Sequence, residues 1–80
     1  MAYFVYLLRC SDSSLYTGIT TNIERRLHEH NTSSKGATYT ASRRPVHLVY
    51  QETHPDRSSA LKREYAIKAL DRQQKLLLFH

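Results

Sequence analysis

Hydrophobic positions in this chain come in short runs separated by polar breaks. Tyr3 to Cys10 and Leu15 to Thr20 are rich in aromatic, β-branched and other apolar residues and read as strands. Ser11-Asp12-Ser13-Ser14 between them is turn chemistry, so the two pair as an antiparallel hairpin. Side chains alternate along a strand, which puts Tyr6 on one face with Phe4 and Leu8, and Tyr16 on one face with Gly18. A two- or four-residue loop would set Tyr6 and Tyr16 on opposite faces, whereas a three- or five-residue loop, or a bulge, would set them together. Gly18 weakens a strand unless some group must approach its backbone closely.

Beyond the hairpin, Thr21-Asn22-Ile23-Glu24 has the form of a capping box and opens a helix through Leu27 that frays near Asn31-Thr32. From Thr32 to Pro45 no apolar period is visible, and an irregular stretch of this length inside a small domain is the candidate substrate loop. Val46 to Glu52 reads as a third strand, since Pro45 stops any helix from running into it. His54-Pro55-Asp56 is a turn. A second helix follows over Ala60 to Leu70, capped by Asp56 or Ser58, and Asp71 opens a last short helix ending in Leu76-Leu77-Leu78-Phe79. The expected architecture is one α+β domain over residues 1–80, order β-β-α-β-α-α, with helices packed on a small three-stranded mixed or antiparallel sheet.

Both main helices carry polar residues where the core should be. At about 100° per residue, Ile23 and Leu27 mark the apolar direction of the first, yet Arg26 and His30 fall on the same stripe. In the second, Ala60, Leu61 and Ile67 define the apolar arc, and Glu64 projects into it with Lys68 one turn on. Each has an ordinary explanation: a shoulder arginine that snorkels to water, or a solvated Glu64–Lys68 ion pair worth roughly 0.3–0.5 kcal/mol. Two helices aiming charge at one sheet point instead to a polar pocket.

Composition narrows the chemistry. Eighty residues make one domain with a small core, and 40% hydrophobic content keeps it globular. Cys10 is alone, which excludes an internal disulfide and a cysteine-based zinc site and fits a reducing, cytoplasmic setting. The apolar run from Ala2 to Leu8 is closed by Arg9, too short for a signal-peptide core or a membrane span, so no membrane partner is expected. Twelve Lys and Arg against seven Asp and Glu give a formal charge of +5, suited to a nucleic-acid partner.

These residues carry a resemblance. Phe4-Val5-Tyr6 and Tyr16-Thr17-Gly18 stand as two triplets at hairpin spacing, followed in order by Arg26 within TTNIERRLHEHN and Glu64 within ALKREYAIK. In this combination the chain resembles the GIY-YIG nuclease domain, and is most similar to the small standalone bacterial proteins of that type. It departs in having Phe4 and Val5 for Gly and Ile, Thr17 for Ile, and no clear equivalent of the asparagine that some of these nucleases carry after the glutamate.

The resemblance implies an endonuclease that hydrolyses phosphodiester bonds with one divalent cation, Mg²⁺ or Mn²⁺, held by Glu64. Its substrate would be DNA rather than RNA, branched, flapped or single-stranded, in repair or recombination. The implied catalytic residues are Tyr6, Tyr16, Arg26 and Glu64: Arg26 on a phosphate oxygen, Tyr6 activating the water, and Tyr16 orienting water or phosphate. A free tyrosine has a pKa of ~10 and needs a nearby cation or another base. His30, one turn beyond Arg26, titrates in the right range and competes for that role. His28, His47, His54 and His80 show no metal-ligand spacing and read as structural or surface residues. Gly18, Lys35, Tyr39, Arg43, Arg44 and Lys68 are the nucleic-acid-binding candidates, for phosphates and for stacking on a base. The alternative is a nucleic-acid-binding module with weak or no catalysis that needs a protein partner.

Overall fold

In the computed structural model, which describes residues 2–32 and 38–79, the elements run β1 (Tyr3–Arg9), β2 (Leu15–Thr20), α1 (Ile23–Thr32), α2 (Thr38–Ala41), β3 (His47–His54), α3 (Arg57–Lys68) and α4 (Arg72–Leu76). The expected order holds with one addition, since the single turn α2 lies inside the stretch the sequence marks as irregular. The sheet is antiparallel throughout, in the order β2-β1-β3. Val5 to Leu8 are all buried, as a continuous apolar run demands of a central strand covered on both faces.

The β1–β2 turn settles the register. Cys10 N–H donates to Ser14 O at 2.9 Å and Ser13 N–H to Cys10 O at 2.9 Å, with Ser13 at φ 68°, so a three-residue loop closes the hairpin. Asp12 supports the turn by accepting from Ser14 N–H at 3.0 Å and from its hydroxyl at 2.6 Å. Tyr6 therefore sits opposite Gly18 and Leu8 opposite Tyr16, all on one face.

Each face of the sheet has its own core. Tyr6, Leu8, Cys10 and Val46 pack with Tyr16, Ile23, Leu27 and Leu48 beneath α1. On the reverse face, Val5, Leu7, Ala60 and Ile67 pack with Ile19, Tyr50, Leu78 and Phe79 beneath α3 and the end of the chain. Leu61, expected on the buried arc of α3, is exposed instead; the arc runs through Ala60 and Ile67. Glu52 pins α3 to β3, accepting from Arg63 Nε at 2.9 Å and 3.0 Å, from the Tyr50 hydroxyl, and facing His54 Nε2 at 3.0 Å. Burial alone would raise its pKa, but these bonds outweigh it and bring it down to about 2.

Helix starts follow local chemistry. The expected capping box at Thr21–Glu24 is replaced by an Asn22 cap, whose side-chain oxygen accepts from Arg25 N–H at 3.0 Å. Asp56, not Ser58, caps α3, and Asp71 with Gln74 forms a reciprocal capping box on α4. Among the described residues no helix is long and apolar enough to cross a membrane.

Thr17 points to the α3 face, opposite Leu7, and is the one buried side chain among the described residues whose polar atom lacks a hydrogen-bond partner. Thr17→Val keeps the shape and removes the unpaid hydroxyl, so urea unfolding should show a gain of about 1 kcal/mol. A loss of stability would show that the hydroxyl is satisfied after all.

Candidate active site

Tyr6 lies flat across β2. A Cβ built on Gly18 would fall 2.6 Å from Tyr6 Cζ and overlap its hydroxyl, so the group that approaches the Gly18 backbone is the Tyr6 ring, and Gly18 itself is buried. Gly18→Ala should push the ring off its seat and cost roughly 1–3 kcal/mol in urea unfolding. An unchanged midpoint would mean the ring has room to move.

From that seat the Tyr6 hydroxyl, on a residue only 2% exposed, meets two groups from α1. His30 Nε2 lies 2.9 Å away, and the Arg26 guanidinium approaches the same oxygen. Arg26 also binds Glu29 Oε1 through Nη1 at 3.1 Å. His30 is fully buried, its Nδ1 2.8 Å from Thr40 Oγ1 and its ring edge-on to Tyr16 with centroids 5.2 Å apart. The polar residues interrupting the stripe of α1 thus face inward onto a tyrosine rather than outward to water.

Burial dominates the electrostatics. It pushes the Tyr6 phenol up to about 12, against the hydrogen bond from Arg26 and with the negative charge of Glu64 adding to it. The cation expected to activate Tyr6 is therefore present but outweighed. Burial, helped by Arg26 and Arg44 and opposed by Glu29, brings His30 down to about 4, which corrects the expectation that it titrates near neutrality.

Because the unfolded chain binds this proton below about pH 6.5 and the folded one does not until about pH 4, stability should fall as the pH drops through that window. The slope approaches ~1.4 kcal/mol per pH unit for one proton. Urea midpoints at about pH 7 and about pH 5 read it directly, before the depressed Glu52 begins to protonate; equal stability at both would contradict a neutral buried His30.

The segment after residue 37 is knitted to the same cluster. Tyr39, 39% exposed, stacks on Tyr16 with centroids 5.9 Å apart and carries Arg43 Cζ 4.0 Å over its ring. Arg43 also donates to Asp12 Oδ2 at 3.0 Å and to Tyr39 O at 2.8 Å, while Arg44 Nε donates to His30 O at 2.6 Å. Asn31 exchanges two hydrogen bonds with the backbone of Val46, at 3.1 Å and 2.7 Å. Tyr39, Arg43 and Arg44, expected to meet nucleic acid, thus also hold this segment on the site. Lys35 lies outside the described residues.

Glu64 stands apart. It comes from α3 on the reverse face of the sheet, not from the face shared by Tyr6, Tyr16, Arg26 and His30, and it reaches near enough to oppose ionisation of Tyr6. Its side chain is 18% exposed, and its oxygen Oε2 pairs at 3.3 Å with Lys68, itself 55% exposed. No three His, Cys, Asp or Glu residues converge among the described residues. One hard carboxylate beside an exposed, displaceable lysine suits Mg²⁺ or Mn²⁺, which keeps waters and takes phosphate for its remaining positions. A groove of about 460 Å³ between Phe4, Ile23, Leu48 and Gln51 is lined by none of these five residues.

Thr40 and Glu29 complete the cluster without having been singled out from sequence. Glu29 was legible as an i, i+3 partner of Arg26, whereas nothing separates Thr40 from the Ser and Thr residues around it.

A family model described as the GIY-YIG catalytic domain matches residues 2–76. A UPF0213 protein of Desulfotalea psychrophila is 65% identical over 77 residues, covering 96% of this chain and 70% of that protein. Another, from Staphylococcus haemolyticus, is 57% identical over 74 residues, covering 92% and 89%. The solution NMR structure of a UPF0213 protein from Bacillus halodurans matches with a TM-score of 0.62 at 44% identity over 98% of this chain and 82% of that one.

Proposed function

Because the chain belongs to the GIY-YIG family, we propose that it is a metal-dependent endonuclease that hydrolyses phosphodiester bonds in DNA, with branched, flapped or single-stranded forms as substrates. The observation that carries the reading is the buried Tyr6 hydroxyl, held between a cationic donor and a neutral imidazole. Such a hydroxyl moves a proton without ever standing as a free phenolate.

Glu64 would hold one Mg²⁺ or Mn²⁺, which supplies charge stabilisation at the scissile phosphate and the leaving oxygen. Arg26 leaves Tyr6 for a phosphate oxygen and holds it as negative charge builds. The attacking water then gives its proton to Tyr6 Oη as Tyr6 gives its own to His30 Nε2, so the charge ends on the imidazole. Tyr16, packed on His30 and Tyr39, orients the water or phosphate. Lys68, exposed beside Glu64, and the basic residues from Lys35 to Arg44 attract the backbone.

A binding module with weak turnover, activated by a protein partner, is the second reading. It is favoured by the near-complete burial of Tyr6 and its pKa of about 12. Incubating the purified protein with branched, flapped, single-stranded and duplex DNA and RNA, in Mg²⁺, Mn²⁺ or EDTA, separates the two. Cleavage that EDTA abolishes supports the enzyme; salt-dependent binding with every substrate intact supports the module.

A further inference from the structure

We infer that Thr40 is a positioning residue: its hydroxyl oxygen accepts from His30 Nδ1–H and so holds the imidazole in the tautomer whose Nε2 lone pair faces Tyr6. The proton-transfer role of that tautomer rests on the nuclease reading above; the tautomer itself does not.

Hydrogen accounting at the buried cluster selects the assignment. Tyr6 Oη faces the Arg26 guanidinium, which can only donate, and its hydrogen-bond partner among the described residues is His30 Nε2 at 2.9 Å. Were Nε2 protonated, both groups would present N–H to Tyr6, and the O–H of a residue 2% exposed would meet no acceptor among the described residues. Tyr6 therefore donates to Nε2, and the single proton of the neutral imidazole stands on Nδ1. There it meets Thr40 Oγ1 at 2.8 Å, on a side chain that is fully buried.

The same contact matters when the proton moves. An imidazolium needs an acceptor at each nitrogen, and among the described residues Arg26 and Arg44 oppose its charge while Glu29 supports it. Thr40 Oγ1 is the neutral acceptor on the far side. This places a residue of the irregular loop behind the reacting groups, and it explains why Arg44 and Asn31 tie that loop down so closely around α1.

The test uses the full chain, with ¹⁵N-labelled histidine and long-range ¹H–¹⁵N NMR of the imidazoles. Wild type and Thr40→Ser should show His30 with Nδ1 protonated and Nε2 bare, and Thr40→Val, which keeps the shape, should shift protonation toward Nε2. With a cleavable substrate, Thr40→Val should lower the single-turnover rate on the order of 10- to 100-fold, as loss of an outer hydrogen-bond partner behind a functional imidazole does. Thr40→Ser should restore it. A wild-type His30 protonated at Nε2, or a tautomer unchanged in Thr40→Val, overturns the inference. Should wild type cleave nothing while the tautomer shifts as expected, the inference stands and the nuclease reading falls.

Discussion

Glu64→Ala is expected to slow metal-dependent cleavage by about three orders of magnitude or more, ~4 kcal/mol at 1.36 kcal/mol per tenfold, while the fold stays intact. The asymmetry comes from where the side chain sits. Ala60 and Ile67 fill the core beneath α3, and Glu64 contributes a half-buried carboxylate whose partner is an exposed lysine. Losing such a pair costs roughly 0.3–0.5 kcal/mol, and alanine's helix propensity offsets part of it. Single-turnover rates beside urea unfolding check both halves. Wild-type cleavage by the variant would remove Glu64 from the chemistry, and an unfolded variant would make it a structural residue.

Arg26→Ala is expected to cost about 2–4 kcal/mol in transition-state stabilisation, the size of removing one oriented donor. The same guanidinium also faces Tyr6 and pairs with Glu29, so its removal disturbs both. Arg26→Lys keeps the charge but not the fork, so it should recover only part of the rate. A second readout does not depend on turnover. Arg26 is one of the positive charges holding His30 down near 4, so its removal should raise the His30 pKa. An NMR titration in which His30 does not move would show that Arg26 lies farther from the imidazole than described.

Much of the fold was legible because periodicity and turn chemistry agree with it. The continuous apolar run in β1 and the capping residues Asp56 and Asp71 mark elements by local physics, and the structure keeps them. The hairpin register was not legible. It turned on whether Ser13 would take a positive φ and close a three-residue loop, a choice open to Ser11–Ser14 in isolation. The conflict of polar residues on apolar stripes did mark Arg26 and His30, which the structure turns toward Tyr6. What it could not supply was depth. Burial of His30 depends on Thr40 and Arg44 closing over it from ten or more residues away, and that closure reverses the expected titration. Gly18 shows the same limit: a close approach was readable, but not that Tyr6 would be the group making it.

Whether the buried Tyr6 hydroxyl and Glu64 belong to one hydrolytic site is measured most directly by single-turnover cleavage with wild type, Tyr6→Phe and Glu64→Ala at matched Mg²⁺, with circular dichroism to confirm folding. Tyr6→Phe leaves the ring seated on Gly18 and removes only the oxygen that touches Arg26 and His30. Cleavage by wild type alone, abolished by EDTA, is the predicted result. Equal cleavage by all three proteins, or a folded wild type that binds DNA and cuts none of it, would contradict the hydrolytic site.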